Sequence, residues 1–151
     1  MDKKEQIKLA NEQLIGQGNF GSRDSFFSPN YIAHSGAKDF KGRKFIKQFV
    51  GQLRKAIPDI RVIKVEFLNQ TSNTIAWQQA LSGTHKVKMK GIPASNRKAK
   101  WTEMVVTRFE NGKIAEDWLI SELAGELMIQ YGRAKRIIIL VKSFTIFQTI
   151  R

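Results

Sequence analysis

The sequence contains no cysteine and only two histidines, His34 and His85. The lack of cysteine excludes a disulfide framework, a thiolate nucleophile and any metal site built on sulfur. The two histidines are far apart, and neither belongs to an H-x-x-x-H or H-E-x-x-H pattern, so we predict no metal site. A chain without cysteine also suits a reducing compartment, and we expect a cytoplasmic location.

The chain also lacks a long apolar segment and is poor in acidic residues. No apolar run approaches the roughly 20 residues that a membrane helix requires, and residues 1–14 do not resemble a signal peptide, so we predict no membrane insertion. Thirteen acidic residues against 26 lysines and arginines give a net charge of +13. This charge suits nucleic acid, anionic membrane surfaces or an anionic substrate. The basic residues are scattered, however, which favours solvated faces and argues against a specific nucleic-acid partner.

The rest of the sequence is typical of one globular domain. At 151 residues, 42% of them hydrophobic, the chain can bury a substantial core. Apolar residues have helical spacing over residues 3–15 and 42–56, and residues 25–34 suggest a short helix or turn. Strand-like alternation follows over residues 60–68, 74–89, 98–109 and 113–119, and then a short helix over 123–130. The Asn111-Gly112 pair predicts a tight hairpin turn, and helices followed by a strand meander predict an α+β fold with an antiparallel sheet.

The C-terminal end differs from the rest of the chain. Residues 137–141 and 144–150 are apolar and rich in β-branched side chains. We therefore divide the chain into one domain over residues 1–132 and a basic, apolar tail over residues 133–151. The tail is predicted to add a strand or to contact a second copy of the chain.

A histidine and a carboxylate are the candidates for chemistry. Because side chains alternate along a strand, His85 shares a face with Trp77 and Gly83, and such a face can line a pocket. Glu122 follows the last predicted strand, where a helix begins. In an apolar cavity a carboxyl group there becomes suited to proton transfer near neutral pH. Each residue also has a structural alternative, because a glutamate can stabilise a helix N-terminus and a histidine or tryptophan can fill a core.

Seven short motifs follow one another in a consistent order between residues 26 and 132. They are Tyr31-Ile-Ala-His34, Ile57-Pro-Asp59, Gly83-Thr-His85, Gly91-Ile-Pro93, Asn111-Gly-Lys-Ile114, Glu116-Asp-Trp118 and Gln130-Tyr-Gly132. Together they resemble the SnoaL-like polyketide cyclase (ester cyclase) family, within the nuclear-transport-factor-2-like superfamily. The resemblance implies a cone-shaped α+β barrel, in which a curved antiparallel sheet and N-terminal helices enclose an apolar pocket for a small molecule. It also implies a homodimer and a mechanism without a cofactor.

The resemblance further implies roles for individual residues. In cyclases of this family, an aspartate four residues after the tryptophan carries the proton for an intramolecular aldol closure. Counted from Trp118, that position is Glu122, so a glutamate replaces the aspartate. His34 and His85 fall on positions that face or flank the pocket and would orient a substrate carbonyl. The residues predicted to bind substrate are Tyr31, Trp77, Gln78, Trp101 and Trp118.

Three functions follow from these observations. The first is a cofactor-free cyclase, isomerase or lyase that acts on a small hydrophobic carbonyl compound. The second is a binding module of the same fold, which holds a small ligand without chemistry. The third is a protein of nucleic-acid or membrane surfaces, driven by the charge of +13 and the tail.

Overall fold

A computed structural model describes the backbone of residues 1–148 and the side chains of residues 1–136. The helices are α1 (Lys3–Asn11), α2 (Arg23–Phe26), α3 (Lys44–Ala56) and α4 (Leu123–Gln148). The strands are β1 (Phe27–Ser35), β2 (Lys38–Lys41), β3 (Arg61–Gln70), β4 (Thr74–Thr84), β5 (Lys98–Glu110) and β6 (Lys113–Ser121). A π-helical turn over Glu12–Gly16 and a 3-10 turn over Phe20–Ser22 lie between α1 and α2.

The six strands form one curved sheet that does not close, in the order β2-β1-β6-β5-β4-β3. Strands β3 to β6 form the predicted antiparallel meander. Strand β1 runs parallel to β6, so the expectation of a wholly antiparallel sheet is wrong at this one pairing. The α+β cone fold is otherwise confirmed.

Two glycines shape the central strands. Asn111 and Gly112 have φ angles of 50° and 73° and form the predicted tight turn between β5 and β6. Gly83, near the end of β4, faces Ile57, which follows α3. A Cβ atom at Gly83 would lie 2.2 Å from Cγ2 of Ile57. Only glycine therefore lets the end of α3 approach β4 this closely.

The helices bury the faces that their hydrophobic spacing predicts. The buried residues of α3 lie three or four positions apart and are Ile46, Val50, Leu53 and Ala56. Arg54, on the same helix, donates hydrogen bonds to the carbonyl oxygens of Ile15 at 2.5 Å and Gly16 at 2.8 Å. These bonds join α3 to the π-helical turn after α1, so both helices are held against one face of the sheet.

The structure corrects three local predictions. Residues 25–34 are not a short helix or turn, because α2 ends at Phe26 and the buried Tyr31 and Ala33 alternate with less buried neighbours in β1. The strand predicted over residues 74–89 ends at Thr84. There the chain turns toward α3, and the N–H of Lys86 donates to the carbonyl of Ala56 at 2.8 Å.

The third correction concerns the C-terminal end. Helix α4 does not stop at residue 130 but continues through Gly132 to Gln148, so the strand predicted in the tail is wrong up to that residue. No proline interrupts this segment, and glycine weakens a helix without necessarily ending it. Residues 149–151 of the tail lie outside the described residues. The proposed contact of the tail with a second copy stays a prediction.

Candidate active site

A cavity of about 560 Å³ lies between the sheet and the helices α1 and α3. Its wall is mainly apolar and includes Ile7, Leu14, Phe27, Val50 and Trp77. The lining residues that are also exposed mark its opening and are Ser35, Lys38, Gln48, Gln52 and Lys90. The volume lies within the range of small-molecule sites.

Asp117, in β6, supplies a carboxyl group to the part of the cavity wall that β1 and β6 share. In the strand register it lies opposite Thr107 of β5 and beside Ala33 of β1. The hydroxyl of Tyr31 donates to Oδ2 of Asp117 at 2.8 Å, and the hydroxyl of Thr107 donates to Oδ1 at 2.5 Å. The indole N–H of Trp77 donates to the Thr107 oxygen at 2.9 Å. This chain of donors fixes the orientation of the carboxyl group.

The surroundings of Asp117 change its acidity. Burial raises the pKa of Asp117 from 3.8 to about 6, although the hydrogen bonds from Thr107 and Tyr31 and the nearby His34 act in the opposite direction. Burial and the neighbouring Asp117 raise the pKa of the Tyr31 phenol well above 10.0, so Tyr31 acts as a hydrogen-bond donor at neutral pH. A carboxyl group with a pKa near 6 can both accept and return a proton near neutral pH.

A second polar group lies on the same wall of the cavity. It is centred on Glu103, four residues along β5 from Thr107, which is the cross-strand partner of Asp117. The buried carboxylate of Glu103 accepts hydrogen bonds from Nε2 of Gln79 at 2.9 Å, from the indole of Trp101 at 3.2 Å and from the hydroxyl of Ser121 at 3.1 Å. Gln79 and Glu103 both line the cavity. The cavity wall therefore has two polar sites, one at Asp117 and one at Gln79 and Glu103. The inward-facing residues between them include Trp77.

His34 of β1 borders the cavity. Its Nδ1 is 2.7 Å from Oδ1 of Asp39, and its Nε2 is 3.8 Å from Oε1 of Glu116. The imidazole stacks on the indole of Trp118, with the ring centroids 4.7 Å apart. These contacts hold the ring on the same face of the sheet as Trp118, and the charge of His34 acts to lower the pKa of Asp117.

Two of the predicted substrate-binding residues reach the cavity, and three do not. Tyr31 and Trp77 line it. Trp101 is buried beside Glu103 but does not line the cavity. Gln78 and Trp118 point to the other face of the sheet, where Nε2 of Gln78 donates to Glu66 at 2.7 Å. Gln78 and Trp118 face away from the cavity because side chains alternate along a strand and each of these residues directly neighbours an inward-facing one.

The predicted catalytic residues Glu122 and His85 also lie outside the cavity. Glu122 is exposed at the start of α4, and its Oε2 accepts the backbone N–H of Thr102 at 3.1 Å. His85 is fully buried just after β4, where its backbone pairs with Arg97, and it does not line the cavity. Burial lowers the pKa of His85, so the ring is neutral at neutral pH. Glu122 therefore lies at the start of a helix and His85 fills the core, which are the structural alternatives given for them in the sequence analysis.

The sequence reasoning missed Asp117, although a signal for it exists. Trp118 was used as a reference point for a residue four positions later. Because Trp118 faces outward, its neighbours Asp117 and Leu119 face inward. Pairing of Asp117 with Thr107 depends on a register shift between Arg108 and Phe109, which moves the pairing that starts at the Asn111-Gly112 turn by one residue. The inward orientation of Asp117 is thus readable once Trp118 is known to face outward, whereas its pairing with Thr107 is not.

Within the described part of the chain, no group of three or more histidine and carboxylate side chains is placed to hold a metal ion. In the same part of the chain, no helix combines the length and the apolar character needed to cross a membrane.

Comparison with known proteins connects this geometry to a family. The sequence model of the SnoaL-like polyketide cyclases matches residues 5–129. No curated protein sequence matches significantly. All the following structures are less than 25% identical to the chain and so show a shared fold.

Three solved structures illustrate the likeness. A proposed polyketide cyclase from Acidithiobacillus ferrooxidans is 20% identical, with a TM-score of 0.72 and coverage of 86% of this chain and 97% of that one. TsrD from Streptomyces laurentii is 19% identical, with a TM-score of 0.73 and coverage of 87% and 98%. AclR from Streptomyces galilaeus, a proposed hydroxylase, is 18% identical, with a TM-score of 0.71 and coverage of 87% of each chain.

Proposed function

This chain belongs to the SnoaL-like polyketide cyclase family, and on that premise we propose that it is a cofactor-free acid/base enzyme acting on a small hydrophobic carbonyl compound. At the level of the family, the match supports a cyclase- or isomerase-type function. The observation that carries the proposal is Asp117, whose carboxyl group has a pKa of about 6 and lies in the wall of an apolar cavity. In this proposal Asp117 takes the proton-transfer role that the sequence assigned to Glu122.

The proposed reaction begins with the ionised form of Asp117. Its carboxylate removes a proton from a carbon beside the substrate carbonyl, which leaves an enolate. In an isomerisation, Asp117 returns the proton to a different carbon. In a ring closure, the enolate carbon bonds to a second carbonyl carbon of the same molecule, and Asp117 returns the proton to the resulting alkoxide. The proton balance closes in both cases, so no oxidant or reductant is consumed.

The neighbours of Asp117 have supporting roles in this scheme. The hydrogen bonds from Tyr31 and Thr107 hold the carboxylate in one orientation and moderate the cost of its charge. The apolar wall excludes water, which strengthens the attraction between the carboxylate and a developing partial charge. His34 borders the cavity, but its ring stacks on Trp118 on the outer face of the sheet, so it acts on Asp117 only through its charge.

The bicyclic ketone 2-tetralone tests the proton transfer, because the protons beside its carbonyl are acidic. Their exchange for deuterium in D2O can be followed by NMR. We expect the protein to accelerate this exchange and Asp117→Asn to lower the protein-dependent rate at least about 100-fold, which is a typical contribution of general base catalysis. Glu122→Gln is the matched control and should leave the rate unchanged. Equal rates for Asp117→Asn and the unmodified protein would refute the proposed role.

One observation favours the second function, a binding module without chemistry. Both carboxyl oxygens of Asp117 already accept a hydrogen bond from the protein, so the group is also satisfied without a substrate. A module of this kind would bind 2-tetralone without accelerating its exchange. The same NMR samples therefore separate the two functions.

We also propose that the outer face of β5 and β6 forms a homodimer contact. Met104 lies opposite Ile120, and Val106 lies opposite Trp118, and all four are exposed. Together they form a contiguous apolar patch on the face away from the cavity, which is typical of an interaction surface. Sedimentation velocity should give a dimer for the unmodified protein and a monomer for Ile120→Lys. A monomer in both cases would count against this contact.

The cytoplasmic location and the role of the net charge stay predictions. The charge is tested by binding to DNA and to anionic vesicles at low and high salt, because electrostatic binding weakens steeply with salt. No binding at low salt would remove the third function.

A further inference from the structure

Although basic residues occur throughout the chain, its net positive charge comes from two segments that the proposed proton transfer does not use. Residues 67–102 contain six lysines and arginines, residues 127–151 contain five, and neither segment contains an acidic residue. The remaining residues have 15 basic side chains against 13 acidic ones, so the two segments account for 11 of the net charge of +13. A charge distributed this unevenly creates a local positive potential.

The first segment places its basic residues where β4 ends and β5 begins. The N–H of His85 donates to the carbonyl of Arg97 at 3.1 Å, and Thr84 lies opposite Lys98, so the two ends of the β4–β5 connection lie side by side. The basic residues of this segment are all exposed and are Lys86, Lys88, Lys90, Arg97, Lys98 and Lys100. Among the side chains that the structure describes, none of these six forms an ion pair.

Helix α4 brings the second segment to the same place. The hydroxyl of Ser95 donates to Oε1 of the buried Gln130 at 2.8 Å, and Nε2 of Gln130 donates to the carbonyl of Lys98 at 3.0 Å. Exposed basic residues follow on α4 within about 9 Å along the helix axis and are Arg133, Lys135 and Arg136. We call these three residues and the six of the first segment the basic surface.

The composition of the basic surface and its surroundings favours an anionic lipid surface over a nucleic acid. Val87 is exposed between two lysines, and Met128 and Ile129 are exposed on α4. After Arg136 the sequence becomes largely apolar, and α4 continues for about three further turns. A membrane surface accepts basic and apolar groups together, because the headgroups attract the charges and the acyl boundary accepts the apolar side chains. Residues 86–100 contain no aromatic side chain on which a nucleic-acid base could stack.

We propose that the basic surface docks the protein on membranes that contain anionic phospholipids, so that the protein lies on the bilayer without crossing it. The lysines and arginines contact the headgroups, and the neighbouring apolar residues enter the boundary between headgroups and acyl chains. Lys90 belongs to the basic surface and also lines the opening of the cavity, so the docked protein presents this opening to the lipid. A small hydrophobic substrate concentrates in lipid and would enter from there. This last consequence rests on the proposed function, whereas the docking does not.

Cosedimentation with lipid vesicles tests the docking. The full chain is mixed with vesicles of phosphatidylcholine alone, or of phosphatidylcholine with phosphatidylglycerol, which adds negative charge. We expect binding only to the vesicles that contain phosphatidylglycerol. The partition coefficient should fall at least about tenfold between about 0.1 M and about 1 M salt, because the Debye length shortens from about 10 Å to about 3 Å.

Charge reversal in each segment assigns the binding to the basic surface. Lys88→Glu changes the β4–β5 connection and Arg136→Glu changes α4, and both side chains are exposed. Each variant should lower the partition coefficient at least about fivefold, which is the contribution of one basic residue near an anionic membrane.

Lys8→Glu is the matched control, because it makes the same change in net charge far from the basic surface. Lys8 is exposed on α1 and lies over the ring of Phe67, which shares a cross-strand row with Val105. About 23 Å of β5 separates Val105 from Lys98, which exceeds the Debye length at about 0.1 M salt. This variant should therefore bind vesicles like the unmodified protein.

A tryptophan introduced into the basic surface reports contact with lipid directly. Brominated phospholipids quench tryptophan fluorescence on contact, so Val87→Trp should be quenched more strongly than the unmodified protein in vesicles that contain phosphatidylglycerol. Leu68→Trp is the control, because Leu68 is also exposed but belongs to the edge strand β3. It should add no quenching.

The outcomes separate the docking from the proposed proton transfer. No binding to the anionic vesicles, an equal loss in Lys8→Glu and the two surface variants, or no added quenching in Val87→Trp would each overturn the docking. Displacement of the protein from the vesicles by duplex DNA at an equal phosphate concentration would assign the surface to nucleic acid and also overturn it. Lys88→Glu and Arg136→Glu should keep the deuterium exchange of 2-tetralone. Docking without any exchange in the unmodified protein would support the basic surface and reject the proposed proton transfer.

Discussion

The half-buried charge of Asp117 should make the protein less stable at neutral pH than a variant without it. The pKa of Asp117 is about 6 in the folded protein, against an ordinary value of 3.8. Between these pH values the folded state holds a proton that the unfolded state has released. The free energy of unfolding therefore falls as the pH rises from about 4 to about 6. Above that range the full penalty applies, and a shift of about two pKa units corresponds to about 3 kcal/mol.

Asp117→Asn removes the charge and keeps the shape. It also loses one hydrogen bond, because an asparagine has a single acceptor oxygen for the two hydroxyl donors of Tyr31 and Thr107. That loss costs about 1 kcal/mol. We therefore expect Asp117→Asn to be more stable than the unmodified protein by about 2 kcal/mol near pH 7.5 and less stable by about 1 kcal/mol near pH 3.5.

Urea unfolding monitored by tryptophan fluorescence at several pH values measures this difference. Carboxyl groups with lowered pKa, such as Asp24 and Asp59, affect both proteins and cancel in the comparison. Thr107→Val is an opposite control, because it keeps the charge of Asp117 and removes a hydrogen bond that stabilises it, so it should be destabilising near pH 7.5. A stability difference between Asp117→Asn and the unmodified protein that is constant across this pH range would refute the desolvation argument.

Three further predictions concern residues outside the cavity. Glu122→Gln should change the free energy of unfolding by less than about 1 kcal/mol in urea titrations, since an exposed carboxylate bound to the N–H of Thr102 contributes little, and a larger loss would contradict this. Gly83→Ala should destabilise the protein by about 1–3 kcal/mol, because its Cβ would overlap Ile57, and an unchanged midpoint of thermal unfolding would show that α3 moves away freely. The pKa of His85 is lowered in the folded state, so its stabilising contribution is lost as the pH falls below about 6.5. His85→Leu should therefore lose less stability than the unmodified protein between about pH 7.5 and pH 5, and an equal loss in both would contradict the neutral, buried ring.

The sequence predicts the central hairpins of this fold well, because their signals are local. Alternation over β3, β5 and β6 and the Asn111-Gly112 turn specify strands and partners within short stretches of chain, whereas the register shift between Arg108 and Phe109 has no such signal. Strand β1 was harder to recognise, because its pattern is short and contains Pro29. The structure accommodates this proline where the β1–β6 register shifts between Phe27 and Ile32. Its parallel pairing with β6 has no local signal at all.

The site was predicted less well than the fold, and strand alternation explains the difference. Tyr31 and His34 were placed at the cavity through motifs of the family, and Trp77 through strand alternation. Glu122 was placed by counting from Trp118, yet β6 ends at Ser121, so the face of the following residue does not follow from the count. Counting positions transfers a role reliably only while the strand geometry continues. The acidity of Asp117 depends on Tyr31, which is remote in sequence, and no local pattern reports that contact.

The parallel pairing of β1 with β6 gives the site a dependence on folding order. Tyr31 and Asp117 are 86 residues apart, whereas Thr107 and Asp117 belong to one hairpin that a two-residue turn can close quickly. A chain that has formed this hairpin but has not yet docked β1 leaves Asp117 in water, with the acidity of an ordinary aspartate. The group therefore gains its chemical character only when the two ends of the domain meet. Partly folded molecules, whether newly made or damaged, would carry the same residue but remain inert.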